Sequence, residues 1–251
     1  MRKVTYGIAF AAVAALVALS QPAQATVNVD ITPPTVNITQ PTVNVGSTLS
    51  NNGLTPFVPV TWHWTQFDKS GICSEYGYFY HSDSTGSGWV YEPLALGQTS
   101  LVVTQQIGGF YEIQLTETDC ASNSGTTYGY EYGNLQLVQS NFASLVGPHW
   151  TSSNCNCWSG GVVLHTTRKG AFIDEDFTSG GSVSVIGDKA PGRGIVNVYV
   201  DGVLKGTFNE SSATKQNMVV DFQVLVAAGS HEVEVKNANG LRTDIDAFVF
   251  E

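Results

Sequence analysis

Lysine and arginine are scarce in this chain. Eleven of them stand against 21 aspartates and glutamates, which gives a formal net charge of −10 at pH 7. Arg2 and Lys3 belong to the first 25 residues, which hold no acid, so residues 26–251 carry a formal charge of −12. A surface with this balance repels phosphate polymers and anionic headgroups, which excludes nucleic acid and anionic membrane as the main partner.

Common catalytic motifs are also missing. The chain contains no GxSxG elbow, no HExxH pair, no phosphate loop and no dinucleotide fingerprint, and its five histidines are scattered. These absences favour a protein that is not an enzyme. A hydrolase with an unrecognised site is the lesser alternative, because paired carboxylates can perform glycoside hydrolysis when they face each other.

Long apolar runs are absent except near the N-terminus. Basic residues in Met1–Lys3 precede the apolar stretch Ile8–Leu19, and Ala23-Gln24-Ala25 supplies a small-x-small cleavage pattern. The apolar stretch is shorter than the roughly 20 residues that a membrane-spanning helix needs. We therefore predict a cleaved signal peptide over residues 1–25, a secreted or cell-surface protein, and no membrane insertion after cleavage.

Helical periodicity is nearly absent after the signal peptide, whereas β-branched and aromatic residues are plentiful. Short alternating segments separated by Gly, Ser and Asn predict an all-β protein of two consecutive β-sandwich domains, over residues 26–139 and 140–251. The predicted strands are Val58–Thr65, Ile72–His81, Trp89–Pro93, Ser100–Gln105, Phe110–Thr118, Thr127–Val138, Val162–Thr166, Gly170–Phe177, Ser182–Ile186, Ile195–Val200, Val203–Phe208, Asn217–Val226, His231–Val235 and Thr243–Phe250.

Several local patterns refine this prediction. Prolines in Thr26–Ser47 forbid a central strand there and predict an extended lead-in that becomes an edge strand. Strand alternation places Trp62 and Trp64 on one side of their strand, and it places Tyr76, Tyr78 and Tyr80 together on one side of the next. Asp201-Gly202 between two apolar runs predicts a tight hairpin.

Both halves resemble known families. The first resembles the immunoglobulin-like or fibronectin-III-like modules of bacterial secreted proteins. The second resembles galactose-binding-like jelly rolls. The segments that carry the first resemblance are Asp30-Ile31-Thr32-Pro33-Pro34, Val60-Thr61-Trp62, Asp68-x-Ser70-Gly71-Ile72, Tyr111 and Thr118-Asp119-x-Ala121-x-Asn123. Those that carry the second are Trp158-Ser159-Gly160-Gly161, Lys169-Gly170-Ala171, Gly192-x-Gly194, Val198-x-Val200-Asp201-Gly202, Gly229-x-His231 and Ile245-Asp246-Ala247-Phe248.

The resemblance implies a binding role. Such modules usually serve in carbohydrate binding, adhesion or spacing, so we expect the jelly roll to bind carbohydrate or a cell-surface glycan and the first sandwich to act as a spacer. The alternative is a structural or adhesive protein that works through protein partners or self-association. Most of the matching residues are framework residues, which indicate the fold better than the activity.

The four cysteines fall into two pairs. In a fibronectin-like sandwich Cys73 and Cys120 would lie on neighbouring strands, and export favours a disulfide between them over free thiols. Cys155 and Cys157 are separated by one residue. Three alternatives remain for this pair, namely a local disulfide, free thiols or a soft-metal site.

Four residues of the second half are candidate ligand contacts. Trp150 and Trp158 flank a polar loop and could stack on sugar rings, or they could fill the end of the sandwich. Lys189 and Arg193 belong to a basic turn in which Arg193 could bind a hydroxyl pair or a carboxylate, or simply be solvated.

Calcium is the one cofactor that the jelly-roll resemblance raises, as a structural ion. The acidic segments that could supply oxygen ligands are Asp174-Glu175-Asp176 and Asp244-x-Asp246. Related jelly rolls also use acids at the start of the domain, and Ser140–Leu145 offers none. No cofactor is therefore predicted, with structural calcium left as an open alternative.

Overall fold

The computed structural model describes residues 30–51, 56–131, 135–179 and 181–251. The predicted signal peptide lies outside these residues. The described chain is all-β, and its only helical elements are two single turns of 3₁₀ helix, Ser140–Phe142 and Ser159–Gly161. Within the described ranges no helix has the length and apolar character needed to span a membrane.

The first half forms a sandwich of two four-stranded antiparallel sheets. Sheet I consists of β1 (Thr35–Val43), β2 (Ser50–Asn51), β3 (Pro56–Phe67) and β6 (Ser100–Gln106). Sheet II runs in the order β5-β4-β7-β8 and consists of β4 (Ile72–Asp83), β5 (Gly86–Glu92), β7 (Phe110–Asp119) and β8 (Ser124–Glu131).

Strand alternation decides what the two sheets bury. On β3 the side chains of Trp62 and Trp64 are buried while His63 between them is exposed, as predicted. They pack against inward-facing residues of sheet II to form one core cluster, whose buried members are Val36, Trp62, Trp64, Phe79, Tyr111, Ile113 and Leu115. Each sheet therefore has one buried face and one outward face.

Pro41 shapes the first strand. β1 lies at the edge of sheet I, and its register against β3 shifts between Thr39 and Thr42. Proline has no amide hydrogen to give to the ladder, so an irregular edge strand is the position that accommodates it. This confirms the predicted edge strand.

The second half forms a larger sandwich of the jelly-roll kind. Sheet III consists of β9 (Gln136–Gln139), β11 (Thr151–Asn154), β12 (Val162–Thr166), β14 (Ser182–Lys189), β17 (Gln216–Leu225) and β19 (Thr243–Phe250). Sheet IV runs in the order β10-β13-β18-β15-β16 and consists of β10 (Leu145–Val146), β13 (Phe172–Ser179), β15 (Ile195–Val200), β16 (Val203–Asn209) and β18 (Gly229–Asn237).

The hairpin predicted at Asp201-Gly202 is confirmed. β15 pairs with β16 across it, and both turn residues have positive φ, 52° at Asp201 and 73° at Gly202. Two such residues are what a type I′ turn requires. Aspartate tolerates this conformation better than most residues, and glycine adopts it freely.

One strand prediction was wrong. Thr127–Val138 was expected to be a single strand, but β8 ends at Glu131 and β9 begins at Gln136. The turn-forming dipeptide Gly133-Asn134 lies between them in the sequence. β9 then pairs with β19 of the second sandwich, so the predicted strand is divided between two sheets.

The two sandwiches are joined by more than the connecting chain. The segment 46–49 lies along the outer edge of β17, where Gly46 N–H donates to Val220 O at 2.8 Å and Leu49 N–H donates to Met218 O at 2.9 Å. Residues from both halves form one buried cluster, which contains Val43, Leu49, Val58, Val60, Ile107, Leu135, Trp158, Val163, Ile186, Met218, Val220, Ala247 and Val249. The interface is thus built like a domain core.

All four cysteines are paired. Cys73 and Cys120 form a disulfide at the end of β4 and β7, with Cα atoms 4.9 Å apart, which confirms the expected bond. Cys155 and Cys157 are also bonded to each other. Of the three alternatives for the second pair, the structure shows the local disulfide.

Candidate functional site

Tyrosines on β4 face away from the core of the first sandwich. Phe79 points inward and is 4% exposed, so Tyr78 and Tyr80 on either side of it must point outward. Tyr76 lies two residues before Tyr78 and points the same way. The predicted common side of these three tyrosines is therefore confirmed, and it is the solvent side.

Neighbouring strands add more rings to the same side. On β5, Tyr91 lies directly across from Tyr78 and Trp89 directly across from Tyr80. On the opposite flank, β7 and β8 contribute further rings to this surface. We call the resulting surface the aromatic face, which comprises Tyr76, Tyr78, Tyr80, Trp89, Tyr91, Phe110 and Tyr128.

The rings of the aromatic face contact one another. Ring centroids are 5.5 Å apart for Tyr78 and Tyr91, 5.3 Å for Tyr80 and Trp89, and 5.8 Å for Tyr80 and Phe110. Trp89 is nevertheless 47% exposed and Tyr91 is 55% exposed. Contiguous exposed aromatic surface is uncommon on folded proteins, which makes this face a candidate interaction site.

Polar groups lie among the rings. β7 places Glu112 beside Tyr80 and Gln114 beside Tyr78, and the Gln114 amide donates to the Tyr128 hydroxyl at 3.3 Å. Burial raises the pKa of the Glu112 carboxyl. The four strands of sheet II contain no lysine or arginine, and Glu112 places a carboxylate in the outward row of Tyr80. The face can therefore offer flat apolar rings together with hydrogen-bond acceptors, but no fixed cation.

The layer beneath the face is tightly packed. Phe79 stacks on Tyr111 with centroids 5.7 Å apart, and Trp62 of sheet I meets Phe79 edge-on at 6.2 Å. The Tyr111 hydroxyl donates to Asp83 Oδ2 at 2.8 Å. A site supported by a packed layer of this kind holds its side chains in defined positions.

The predicted tryptophans lie in the second sandwich and are engaged internally. Trp150 is half-buried, packs on the core between sheets III and IV, and donates its indole N–H to Phe172 O at 2.8 Å. Trp158 is 7% exposed and donates to Asp188 Oδ2 at 2.6 Å. The two therefore occupy different core clusters.

The predicted basic residues pair with buried carboxylates. Lys189 Nζ lies 3.2 Å from Asp221 Oδ1, and Arg193 Nε lies 2.5 Å from Asp244 Oδ2. Asp244 also receives two hydrogen bonds from the guanidinium of Arg242 to its Oδ1. Lys189, Arg193 and Trp158 thus belong to one internal polar cluster, while Trp150 lies apart from it.

This internal cluster holds several carboxyls that resist ionisation. Burial raises the pKa of Asp221 to about 7 and that of Asp246 to about 8, and it raises the pKa of Glu210 well above its usual range. The loss of hydration is the dominant cause in each case. These groups are part of the interior, since none of the three is more than 5% exposed.

The acidic segments do not fit the calcium site that the resemblance raises. The Asp244 carboxylate is occupied by two arginines, and Asp246 accepts the Ser159 amide. On β13, Asp174 and Asp176 point outward while Glu175 points inward and accepts from Ser144. A different group of carboxylates has oxygens within 4.8 Å of one another, namely Asp30, Asp68 and Asp119 in the first sandwich.

The second sandwich has a shallow pocket at one end of sheet IV. Its volume is about 420 Å³, and its lining residues are Asp176, Phe177, Thr178, Asp201, Ser230, His231 and Glu232. His231 is held between Asp201 Oδ2 at 2.8 Å and Ala227 O at 2.9 Å. The hydrogen bond that His231 Nδ1–H donates to the Asp201 carboxylate raises the pKa of His231. This pocket could accept donors such as hydroxyl or ammonium groups.

Sequence reasoning placed the candidate contacts in the second half and missed the aromatic face. The signal that could have found it is the count of aromatic residues on each side of the strands. Tyr76, Tyr78 and Tyr80 already share one side in the sequence, and Trp89 and Tyr91 share one side of the next strand. Because the opposite side of these strands supplies Phe79 for the core, the tyrosine side is left for solvent.

Comparisons with known proteins give only distant structural similarities. No profile of a known protein family matches the chain, and no curated protein sequence matches it. A CBM36 carbohydrate-binding module in complex with calcium and xylotriose is 18% identical, with a TM-score of 0.35 over 46% of this chain and 99% of that one. A family 35 carbohydrate-binding module from Clostridium thermocellum is 12% identical, with a TM-score of 0.37 over 46% and 95%.

A third similar structure is the CBM36-1 domain of a multidomain xylanase from the hindgut metagenome of Trinervitermes trinervoides. It is 13% identical, with a TM-score of 0.33 over 47% of this chain and 97% of that one. Similarity at these levels carries no argument about ligand or activity.

Proposed function

We propose that this protein is a secreted, non-catalytic carbohydrate-binding protein and that its binding surface is the aromatic face of sheet II. The observation that carries the proposal is the contiguous set of outward rings on β4, β5, β7 and β8, with Trp89 and Tyr91 about half exposed. Trp89 and Tyr91 therefore present ring surface to solvent.

The chemistry of the face suits sugars. A pyranose ring has an apolar C–H side that packs on an aromatic ring and an equatorial rim of hydroxyls that need hydrogen-bond partners. The tyrosine hydroxyls, the Glu112 carboxylate and the Gln114 amide lie among the rings and can serve that rim. A mixture of aromatic rings and a few placed polar groups is typical of small-ligand sites.

The jelly roll is the competing location for glycan binding, with the first sandwich as a spacer. The patch of Trp150, Trp158, Lys189 and Arg193 supports it poorly, because each polar group is already hydrogen-bonded or ion-paired within the protein. The pocket beside His231 supports it better, because acids and hydroxyls line it. We favour the aromatic face because it offers several half-exposed rings, whereas the aromatic residues that line the pocket are Phe177, which is 7% exposed, and His231.

A structural or adhesive role through protein contacts is the second candidate function. The same exposed rings favour it, since large apolar patches also mark protein–protein interfaces. The two candidate functions differ in the partner that covers the aromatic face, which is a glycan in the first and a protein surface in the second.

The test is a retention assay on a panel of insoluble and immobilised wall polysaccharides. We expect the wild-type protein to be retained by at least one polysaccharide without releasing reducing sugar. The double variant Trp89→Ala and Tyr91→Ala is expected to bind that polysaccharide more than about tenfold more weakly, since stacked aromatic anchors contribute 2 kcal/mol or more to binding. Both side chains are half exposed, so folding should be retained and can be checked by circular dichroism.

Two further variants locate the site. Phe67→Ala removes an even more exposed ring from sheet I, where Phe67 is 73% exposed, and should leave retention unchanged. Glu232→Gln alters the jelly-roll pocket and should also have little effect. If Glu232→Gln abolishes retention while the tryptophan and tyrosine variant does not, the site lies in the jelly roll. If nothing on the panel is retained and size-exclusion chromatography shows assembly that depends on Trp89, the protein-contact role replaces the proposal.

A further inference from the structure

We infer that the aromatic face selects single, uncharged glycan chains and rejects both polyanionic glycans and the flat faces of crystalline polysaccharide. This inference rests on the proposed function and names the class of ligand that the same surface would take. Two independent features carry it, the charge of sheet II and the mutual tilt of the rings.

The charge of the face opposes anions. Within the strands of sheet II there is no lysine or arginine, so no cation can pair with a uronate or sulfate group. Glu112 instead places a carboxylate in the row of Tyr80 and Trp89. Glu112 is half-buried beside Tyr80, and this burial raises the pKa of its carboxyl, so water screens its repulsion of a second anion less than at a fully exposed site.

The same carboxylate favours neutral sugars. A carboxylate accepts two hydrogen bonds and is well matched to a pair of adjacent hydroxyls, and hydrogen bonds to a charged acceptor are stronger than neutral ones. Gln114 on the same strand can both donate and accept. Specificity for uncharged chains therefore comes from one group that attracts hydroxyls and repels acids.

Most neighbouring rings are strongly tilted against each other. The interplanar angle is 58° for Tyr80 and Trp89, 63° for Tyr80 and Phe110, and 68° for Tyr78 and Tyr91, while Tyr76 and Tyr91 have the smaller angle of 33°. A crystalline face is planar and can stack only on rings that share a plane. Tilted rings leave furrows between them, and a single chain can follow such furrows because each sugar unit turns independently.

Edge-to-face contacts keep the tilt in place. Tyr78 meets Tyr76 at 89° and Tyr91 at 68°, while Tyr80 contacts both Trp89 and Phe110. Edge-to-face pairs are favourable, so flattening the rings into one plane would break several contacts at once. The surface is therefore pre-organised for a chain rather than adaptable to a plane.

The experiment uses chemically matched polymers. The polysaccharide that binds best in the retention assay is converted separately into its hydroxyethyl and carboxymethyl derivatives, which differ chiefly in charge. Affinity electrophoresis then measures the affinity of the protein for each derivative. We expect the carboxymethyl polymer to bind at least tenfold more weakly at low salt, with the difference shrinking at high salt because the repulsion is screened. Microcrystalline cellulose serves as the planar probe and should retain no protein.

A matched pair of variants assigns the discrimination to Glu112. Glu112→Gln keeps the shape and removes the charge, and it should reduce the preference for the neutral derivative by at least threefold. Glu92→Gln removes a carboxylate from β5 that alternates away from Tyr91, and it should leave the preference unchanged.

Failure of the inference is separable from failure of the proposed function. Equal or tighter binding of the carboxymethyl derivative, retention on microcrystalline cellulose, or an acidic polysaccharide as the best ligand would overturn the inference while carbohydrate binding stands. If the panel retains nothing, carbohydrate binding itself fails and the inference falls with it.

Discussion

Buried carboxyl groups make the stability of this protein depend on pH. Burial raises the pKa of four of them to about 7 or 8, and none of the four is more than 7% exposed. These residues are Glu117, Asp221, Asp246 and Glu251. In an unfolded chain such groups titrate near 4. The folded state therefore holds protons that the unfolded state releases between about pH 4 and pH 8.

The sign of the pH dependence follows from that difference. A group whose pKa is raised by folding contributes stability that is fully present below its unfolded pKa and is lost as pH rises through its folded pKa. We expect the free energy of unfolding to fall from pH 5 to pH 8.5. Chemical denaturation at several pH values measures it.

Asp246 is the sharpest single test of this behaviour, because its pKa is raised to about 8. Asp246→Asn imitates the protonated group and can still accept the Ser159 amide. The variant should lose more than about 1 kcal/mol of the pH dependence between pH 5 and 8.5, since each pKa unit corresponds to about 1.4 kcal/mol. Asp176→Asn on the exposed side of β13 is the control. An unchanged slope in Asp246→Asn would contradict this assignment.

At the scale of elements, β4 and β7 form the structural basis of the aromatic face. They pair along nearly their whole length, and the Cys73–Cys120 disulfide joins them at one end. Their inward side chains supply Phe79, Tyr111 and Ile113 to the core, and their outward side chains supply rings to the face. Damage to this pair should therefore affect stability and binding together.

Removing the disulfide tests the pair directly. Cys73→Ala with Cys120→Ala opens a link between residues 47 apart in sequence, and we expect a loss of about 2–4 kcal/mol in the free energy of unfolding. Cys155→Ala with Cys157→Ala opens a link across a separation of 2 and should cost less than half as much, because a short closed loop constrains the unfolded chain little. Equal losses would show that the loop argument fails here.

At the scale of the whole molecule, the two sandwiches share a core. Val58 and Val60 of sheet I pack in the same buried cluster as Ile186 and Val220 of sheet III, and segment 46–49 extends sheet III beyond β17. An interface made of fully buried aliphatic side chains couples the folding of the parts that it joins. The first sandwich is then a fixed part of the molecule rather than a freely tethered spacer.

We expect a single cooperative unfolding transition. Val220→Ala removes buried methyl groups from the shared cluster and should cost about 2 kcal/mol, lowering the midpoint of both halves together. Calorimetry would give the number of transitions. Val102→Ala, at a position that is 57% exposed, is the control. Two separate transitions, of which only one shifts in Val220→Ala, would refute the coupling.

Much of this architecture could be predicted from residue patterns. The alternation in Val162–Thr166, Ile195–Val200 and Thr243–Phe250 predicted three strands with the bounds that the structure shows. Asp201-Gly202 predicted its hairpin, and the prediction of export favoured the Cys73–Cys120 bond. The strands and the hairpin depend on local residue patterns, and the disulfide depends on the oxidising environment that export implies, so the sequence by itself determined them.

Tertiary packing decided where the candidate site lies. Alternation shows that Tyr76, Tyr78 and Tyr80 share a side, but only the position of sheet I shows that this side meets water. The sequence makes Lys189 and Arg193 candidate ligand contacts, whereas the structure pairs them with buried carboxylates from strands that are remote along the chain. Exposure depends on partners that are remote along the chain, and the fold brings those partners together.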